Sequence, residues 1–147
     1  MPPLGRTLGV MTFEQAKIVI VLRDDLLGWQ ENNVTAFLAS AVTAAYPELV
    51  GEPYRDADGR EYLAMLGTPV LVMVADGDRL ASIRERADTR GLRIAVYTAD
   101  LFATGNDVDN RAAVAGVGTE KLDLVGIAVA GERRVVDKVV KGARLHP

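Results

Sequence analysis

Two places in this chain carry side chains whose types and spacing suit chemistry. The first is Arg23-Asp24-Asp25, which directly follows the apolar run Lys17-Ile18-Val19-Ile20-Val21-Leu22. A cation beside carboxylates at a strand tip can grip a polar ligand. The plainer reading is an ion pair and a turn into the following helix. The second is Asp100 with Thr104. Should Asp100 open a helical turn, this spacing puts both on one face. A carboxylate beside a hydroxyl can then orient a water for attack on an ester. The competing reading makes Asp100 a helix cap and lets Thr104 satisfy a backbone carbonyl.

Two further clusters are rich in oxygen. Asn106, Asp107, Asp109 and Asn110 offer ligands of the kind Mg²⁺ or Ca²⁺ takes. Asn and Asp also make their own local turn bonds, and no fixed ion-loop spacing is met. Asp56, Asp58 and Gly59 resemble a piece of a calcium loop but lack its twelfth-position ligand, so a hairpin turn is expected there. No metal and no cofactor are assigned. Gly116-Val117-Gly118-Thr119 leads into a strand rather than out of one, which excludes a phosphate-binding fingerprint.

Composition removes other chemistries. The chain has no Cys and one His, His146, so thiolate sites, disulfides and a His-based triad are excluded. A net charge of −3 speaks against broad non-specific binding to nucleic acid. Among 147 residues, 49% are hydrophobic and only 5% aromatic, so the core is aliphatic, as in α/β proteins. Met1 to Val10 lack the apolar core of a secretory signal, and nothing approaches a membrane span. A cytoplasmic protein without membrane contact is the expectation.

The elements that must position these groups follow from periodicity. The first strand is buried on both faces and leads to a helix, with Val34, Phe37, Leu38, Ala41, Val42 and Ala45 on one stripe. Asn32 or Asn33 is expected to cap this helix, Pro47 to stop it, and Trp29 and Gln30 to lie in the loop before it, where Trp29 either stacks on a base or a ring or anchors the helix entry half-buried. Residues 51–67 read as a hairpin or arm turning at Asp58-Gly59. Further strands are expected at Pro69–Val74, Leu92–Tyr97 and Leu122–Val129. A helix capped by Asp76 or Asp78 and ended by Gly91 follows the first of these, and a last helix runs from about Glu132 to Lys141. The connection from Thr98 to Lys121 is long and polar, a place where function concentrates. Residues 1–11 are expected to be a poorly ordered extension and 12–147 a single α/β domain.

The strings Lys17-Ile-Val-Ile-Val-Leu-Arg-Asp-Asp-Leu, Leu92-Arg-Ile-Ala-Val-Tyr, Asp100 with Thr104, and Val136-Asp-Lys-Val-Val-Lys-Gly-Ala-Arg-Leu resemble the type II peptidyl-tRNA hydrolase-like superfamily, most of all its branch called domain of unknown function 2000. The resemblance spans about Lys17 to Leu145. It implies a three-layer α/β/α fold with a small mixed, mostly parallel sheet, often as a homodimer. Active members use a Lys on the first helix, an Asp and a Thr after the third strand, and a second Thr leading into the fourth. Asp100 and Thr104 match the middle pair. Asn33 stands at the place of the Lys, Phe37 and Ser40 at those of a Gln and a His, and Leu124 or Val125 at that of the second Thr.

Two functions follow. One is a hydrolase of peptidyl-tRNA or another ester or amide, with Asp100 positioning water, Thr104 binding the carbonyl or its oxyanion, Arg23 holding a phosphate, and Arg23 with Asp25 gripping a tRNA-linked or small polar substrate. The other is a non-catalytic module of the same fold that binds a small ligand or a partner through groups such as Asn33, Ser40 and Asn106. The hydrolase reading predicts a crevice on which Arg23, Asp25, Asp100 and Thr104 converge. A third role, contact with a second subunit, falls on the 53–65 arm.

Overall fold

The computed structural model describes residues 10–147, so residues 1–9 of the expected extension lie outside the described residues. Met11 already packs against the core. The elements are β1 (Ala16–Arg23), α1 (Gly28–Ala45), β2 (Tyr54–Arg55), β3 (Glu61–Tyr62), β4 (Val70–Ala75), α2 (Gly77–Thr89), β5 (Ile94–Thr98), α3 (Asp107–Ala115), β6 (Leu124–Glu132), α4 (Arg133–Val139) and β7 (Arg144–Leu145). Short 3₁₀ turns at Pro47–Leu49, Ala99–Ala103 and Thr119–Lys121 fill the connections.

One mixed five-stranded sheet, ordered β5-β6-β1-β4-β7, divides the molecule. Alternation along β1 sorts the core. Ile18, Ile20 and Leu22 face α1, where they meet Val34, Leu38 and Val42. Val19 and Val21 face the other way, onto Leu80, Ile83 and Ala87 of α2 and Val136 and Val139 of α4. The three layers therefore stand as expected.

The sheet's polarity does not. Only β1 and β4 pair in parallel, while β6 runs against both its neighbours and β7 runs against β4. The sheet is mixed as expected, but mostly antiparallel rather than mostly parallel: three of its four pairings are antiparallel. A central antiparallel strand covered on both faces is as uniformly apolar as a parallel one, and every residue of β6 from Leu124 to Gly131 is buried.

Two local features set how closely α1 approaches the sheet. Pairing of β5 with β6 slips at Tyr97/Thr98, which is a bulge. Beside it Val125 packs in the α1-side core and Gly126 also faces α1. A Cβ on Gly126 would lie 2.6 Å from Val34 Cγ1 and 3.0 Å from Leu38 Cδ1, so only a glycine admits the helix at this distance. Elsewhere the turn chemistry matches expectation. Asp76 caps α2 by accepting from the Arg79 N–H, and Gly91 leaves it at φ 71°. The arm forms as the β2–β3 hairpin, with Gly59 at φ 82°. Asp56 accepts at 3.0 Å from the Asp58 and Arg60 N–H groups, which is the turn role. Among the described residues, no helix is long and apolar enough to cross a membrane.

Candidate functional site

Helix α1 begins at Gly28, a full turn earlier than the Asn32/Asn33 cap expected from sequence. Gln30 reaches back to accept from the Leu27 N–H at 2.9 Å, the return half of a capping box. The extra turn changes the site. Trp29 is helical rather than in a loop, and with Asn33 and Phe37 it forms a stripe at four-residue spacing. Phe37, expected in the core, is instead 55% exposed and sits over Tyr97 of β5.

This stripe lines one wall of a crevice of about 310 Å³. Tyr97, Leu101 and Phe102 form its base, and Thr104, Asn106 and Asn110 lie along the opposite wall. The rings make a continuous series. Trp29 meets Phe102 edge-on at 5.6 Å, Phe102 lies 5.3 Å from Tyr97, and Tyr97 lies 6.1 Å from Phe37. All three separations fall in the range aromatic pairs favour. A second cavity of about 670 Å³ runs on from the first between α1 and α3, sharing Phe37, Tyr97, Leu101, Asp107 and Asn110.

The polar groups at the crevice are neutral or internally compensated. Asn33 Nδ2 donates to the Tyr97 hydroxyl at 3.2 Å. Burial pushes the Tyr97 phenol up, and the Asn33 hydrogen bond offsets this only partly, so it stays protonated at neutral pH. Thr104 donates to the Leu101 carbonyl at 2.9 Å and its oxygen also meets the Asn110 side-chain amide. Asn106 caps α3, accepting from the Asp109 N–H at 2.9 Å. Asp107 is held by Arg111 at 2.8 Å. The oxygen-rich cluster thus builds the start of α3. Among the described residues, no group of three or more His, Cys, Asp or Glu side chains is arranged to hold a metal ion.

The sequence-predicted residues divide between two places. Asn33, Thr104 and Asn106 line the crevice, and Ser40 lines its continuation with its hydroxyl donating to the Phe37 carbonyl at 2.6 Å. Arg23 and Asp25 do not join them. Arg23 belongs to the side of β1 that carries Val19 and Val21, and its stem lies 3.8 Å from the position a Cβ on Gly77 would take at the start of α2. Its guanidinium binds Asp25 at 2.7 Å and Asp123 at 2.8 Å. The hydrogen bond to Asp25, reinforced by Asp123, raises its pKa further against the cost of burial. This is the ion-pair reading.

Asp100 is exposed and is not among the residues lining the crevice. The reason lies in the turn type. Ala99–Ala103 is 3₁₀, with three residues per turn, and Thr104 follows it in extended backbone at φ −100° and ψ 164°, so the α-helical register that would put both side chains on one face is absent. Thr104, just past the turn, points inward while Asp100 points out. Sequence reasoning missed Tyr97 and Phe102 as site residues, and weighed Asn110 only as an ion ligand or a turn former. Extending the α1 register back one turn from Asn33 would have put Trp29 on the helix rather than in the loop.

The sequence-family comparison matches residues 16–147 to a family described as a protein of unknown function, DUF2000. Among solved structures, a protein of unknown function from Agrobacterium tumefaciens strain C58 is similar, with a TM-score of 0.88 and 41% identity, covering 90% of this chain and 98% of that one. No curated protein matches the chain.

Proposed function

The chain belongs to the DUF2000 family, and on the geometry of the crevice we propose that it is a binding protein for a ring-bearing, uncharged ligand. One observation carries this. Four aromatic side chains in series, Trp29, Phe102, Tyr97 and Phe37, meet neutral amides and a hydroxyl at a crevice where no free carboxylate or cation is aimed inward. Aromatic walls with a few placed polar groups are what a flat ligand needs. General acid–base work needs a titrating group within reach, and Tyr97, a raised phenol, is a poor base at neutral pH.

The test uses Trp29, the single Trp of the chain. Its fluorescence is followed while N-acetylphenylalaninamide, benzamide and neutral nucleosides are titrated. Saturable quenching by at least one compound is expected, with loss in Asn33→Leu. Silence across the panel at millimolar concentration would remove the proposal.

Hydrolysis of peptidyl-tRNA or another ester or amide is the second reading. It is supported by the resemblance to the type II peptidyl-tRNA hydrolase-like superfamily and by Thr104 lining the crevice. It requires Asp100 to turn inward, and Asn33 supplies no charge for an oxyanion or phosphate. We also propose a homodimer through the β2–β3 arm, where Leu63 is 90% exposed beside Tyr54, Tyr62 and Met65. Light scattering of Leu63→Asp against the parent protein tests it, with a shift from dimer to monomer expected.

A further inference from the structure

We propose that the crevice receives its ring as the side chain of an extended peptide, which adds to the free edge of β5 and lies in the channel between α1 and α3. This rests on the reading that the crevice binds a ring, and it names the kind of molecule that carries one.

The first support is topological. β5 is the outermost strand of the sheet and pairs only with β6 among the described residues. Its outer N–H and C=O groups therefore form a template for another strand. The second is what the channel touches. Ala95, Val96 and Tyr97 all line it, although they are consecutive. Successive strand side chains point to opposite faces, and Val96 packs into the α2-side core while Ala95 and Tyr97 pack toward α1. A cavity that meets all three in a row meets the backbone edge. Main-chain hydrogen bonds from such an edge give affinity to an added strand, and pockets for its side chains give selectivity.

The third support is the shape of the walls. Phe37 and Ala41 of α1 face Val114 and Ala115 of α3 across about 670 Å³. No residue of α3 is buried, so this apolar surface is uncovered in the free protein. The aromatic pocket opens from the same channel at the carboxyl end of β5, next to Tyr97.

The charges at the two ends fix the sequence of the partner. Arg93, one residue before β5, and Asp100, two residues after it, are both exposed and neither is ion-paired among the described residues. They lie about 20 Å apart along an extended chain, the span of six or seven residues. Inside the channel the one ion pair, Asp107–Arg111, is internally neutral. An antiparallel peptide, the more stable pairing, would start near Asp100 and finish near Arg93. It complements the edge with a cation at its start, an aromatic residue next, small or β-branched residues after that, and a carboxylate at its end.

The probe is the peptide acetyl-Lys-Phe-Val-Thr-Val-Glu-amide, read by Trp29 fluorescence and by anisotropy of a labelled copy. Binding ~10-fold tighter than N-acetylphenylalaninamide is expected, since the strand and the ring are joined. N-methylation of one alternate set of peptide nitrogens should abolish that gain, and methylation of the other set should leave it. Val114→Arg, at a position on the unburied α3, should weaken the peptide and spare N-acetylphenylalaninamide. Exchanging the peptide's Lys and Glu should weaken binding, with recovery in Arg93→Glu/Asp100→Lys. If the small amide binds and the peptide gains nothing, or both methylated sets bind alike, the strand-addition proposal falls and the ring-binding reading stands. If neither compound binds, the strand-addition proposal falls, and silence of benzamide and the nucleosides as well removes the ring-binding reading.

Discussion

Substituting Gly126 by Ala tests the spacing on which the crevice depends. The new Cβ would sit 2.6 Å from Val34 Cγ1 and 3.0 Å from Leu38 Cδ1. Carbon atoms settle at about 3.5–4.0 Å, so roughly 1 Å must be found at Val34 and half that at Leu38. Val34 is β-branched and held to one strongly preferred rotamer in a helix, so it cannot swing clear. The helix itself has to lift from the sheet. Overpacking of this kind costs about 1–3 kcal/mol. In a domain of this size that lowers Tm by about 3–12 °C. Because Trp29, Asn33 and Phe37 ride on the same helix, Trp29 should also lose its edge contact with Phe102 and its emission should shift to the red. The decisive measurement is a double-mutant cycle with Val34→Ala. That change alone costs about 2 kcal/mol through lost burial and a cavity. In the pair, the methyl introduced by Gly126→Ala fills part of the space, so the double variant should be about 1 kcal/mol more stable than the sum of the single costs. A Gly126→Ala protein that melts with the parent, or strict additivity in the cycle, would refute the close-approach argument.

Three other expectations follow from single side chains. The Thr98 hydroxyl is buried with no hydrogen-bond partner, and such an orphan costs about 1–3 kcal/mol. Thr98→Val keeps the shape and should raise Tm by a few degrees, whereas a fall would mean that a water or ligand serves the hydroxyl. His146 bonds Glu31 at 2.5 Å, and that hydrogen bond, with a lesser share from the Pro147 carbonyl, raises its pKa above the ordinary value of 6.5. A raised folded-state pKa means that the stabilisation is complete below about pH 6.5 and disappears as pH climbs through the folded value. The single imidazole signal should titrate with a midpoint above 6.5 and return toward it in Glu31→Gln; an unchanged midpoint in that variant would dismiss the pair. Asp100→Ala should leave Tm within about 1 °C, since exposed positions without partners carry little stability. It should also leave ring binding intact, and loss of binding would return Asp100 to the site.

How far the fold can be read from the sequence depends on whether a signal is local. The apolar run of β1, the Asp76 cap and Gly91 terminator of α2, and the Asp58-Gly59 hairpin turn each act within a few residues, and each appears where the pattern puts it. The direction of β6 has no such signal, because an apolar strand buried on both faces looks the same either way. The start of α1 departs from expectation because Asn32 and Asn33 are good caps by type. Here a Gln30 side chain reaching back to Leu27 closes the helix end instead, and Leu27 is a residue type no capping rule favours. Asp100 and Thr104 share a face only at α-helical spacing, and the backbone there winds with three residues per turn.

The separation of Arg23 from the crevice is a matter of parity across strands. β6 stands between β1 and β5, which puts the two tips about 9–10 Å apart before any side chain is added. Within β1 the alternation is plain, and Arg23 shares a side with Val19 and Val21, under α2 and α4. Within β5 it is equally plain, and Tyr97 shares a side with Ala95, under α1. What no alternation within one strand reveals is whether Arg23 and Tyr97 take the same side of the sheet. That depends on the register of β6 with each neighbour: Gly126 stands opposite both Leu22 and Tyr97, so Tyr97 shares the side of Leu22 and Arg23 takes the other. The outcome decides the chemistry. The cation goes to the α2 side and is neutralised by Asp25 and Asp123, while the α1 side keeps the aromatic rings and the amides. A crevice built from α1, β5, the segment leading into α3 and the first turn of α3 holds one carboxylate, Asp107, already paired with Arg111, so it has no charge to spend on an ester's transition state, but it has flat walls and an open strand edge. Recognition of a neutral ring on an extended chain is the work those parts can do.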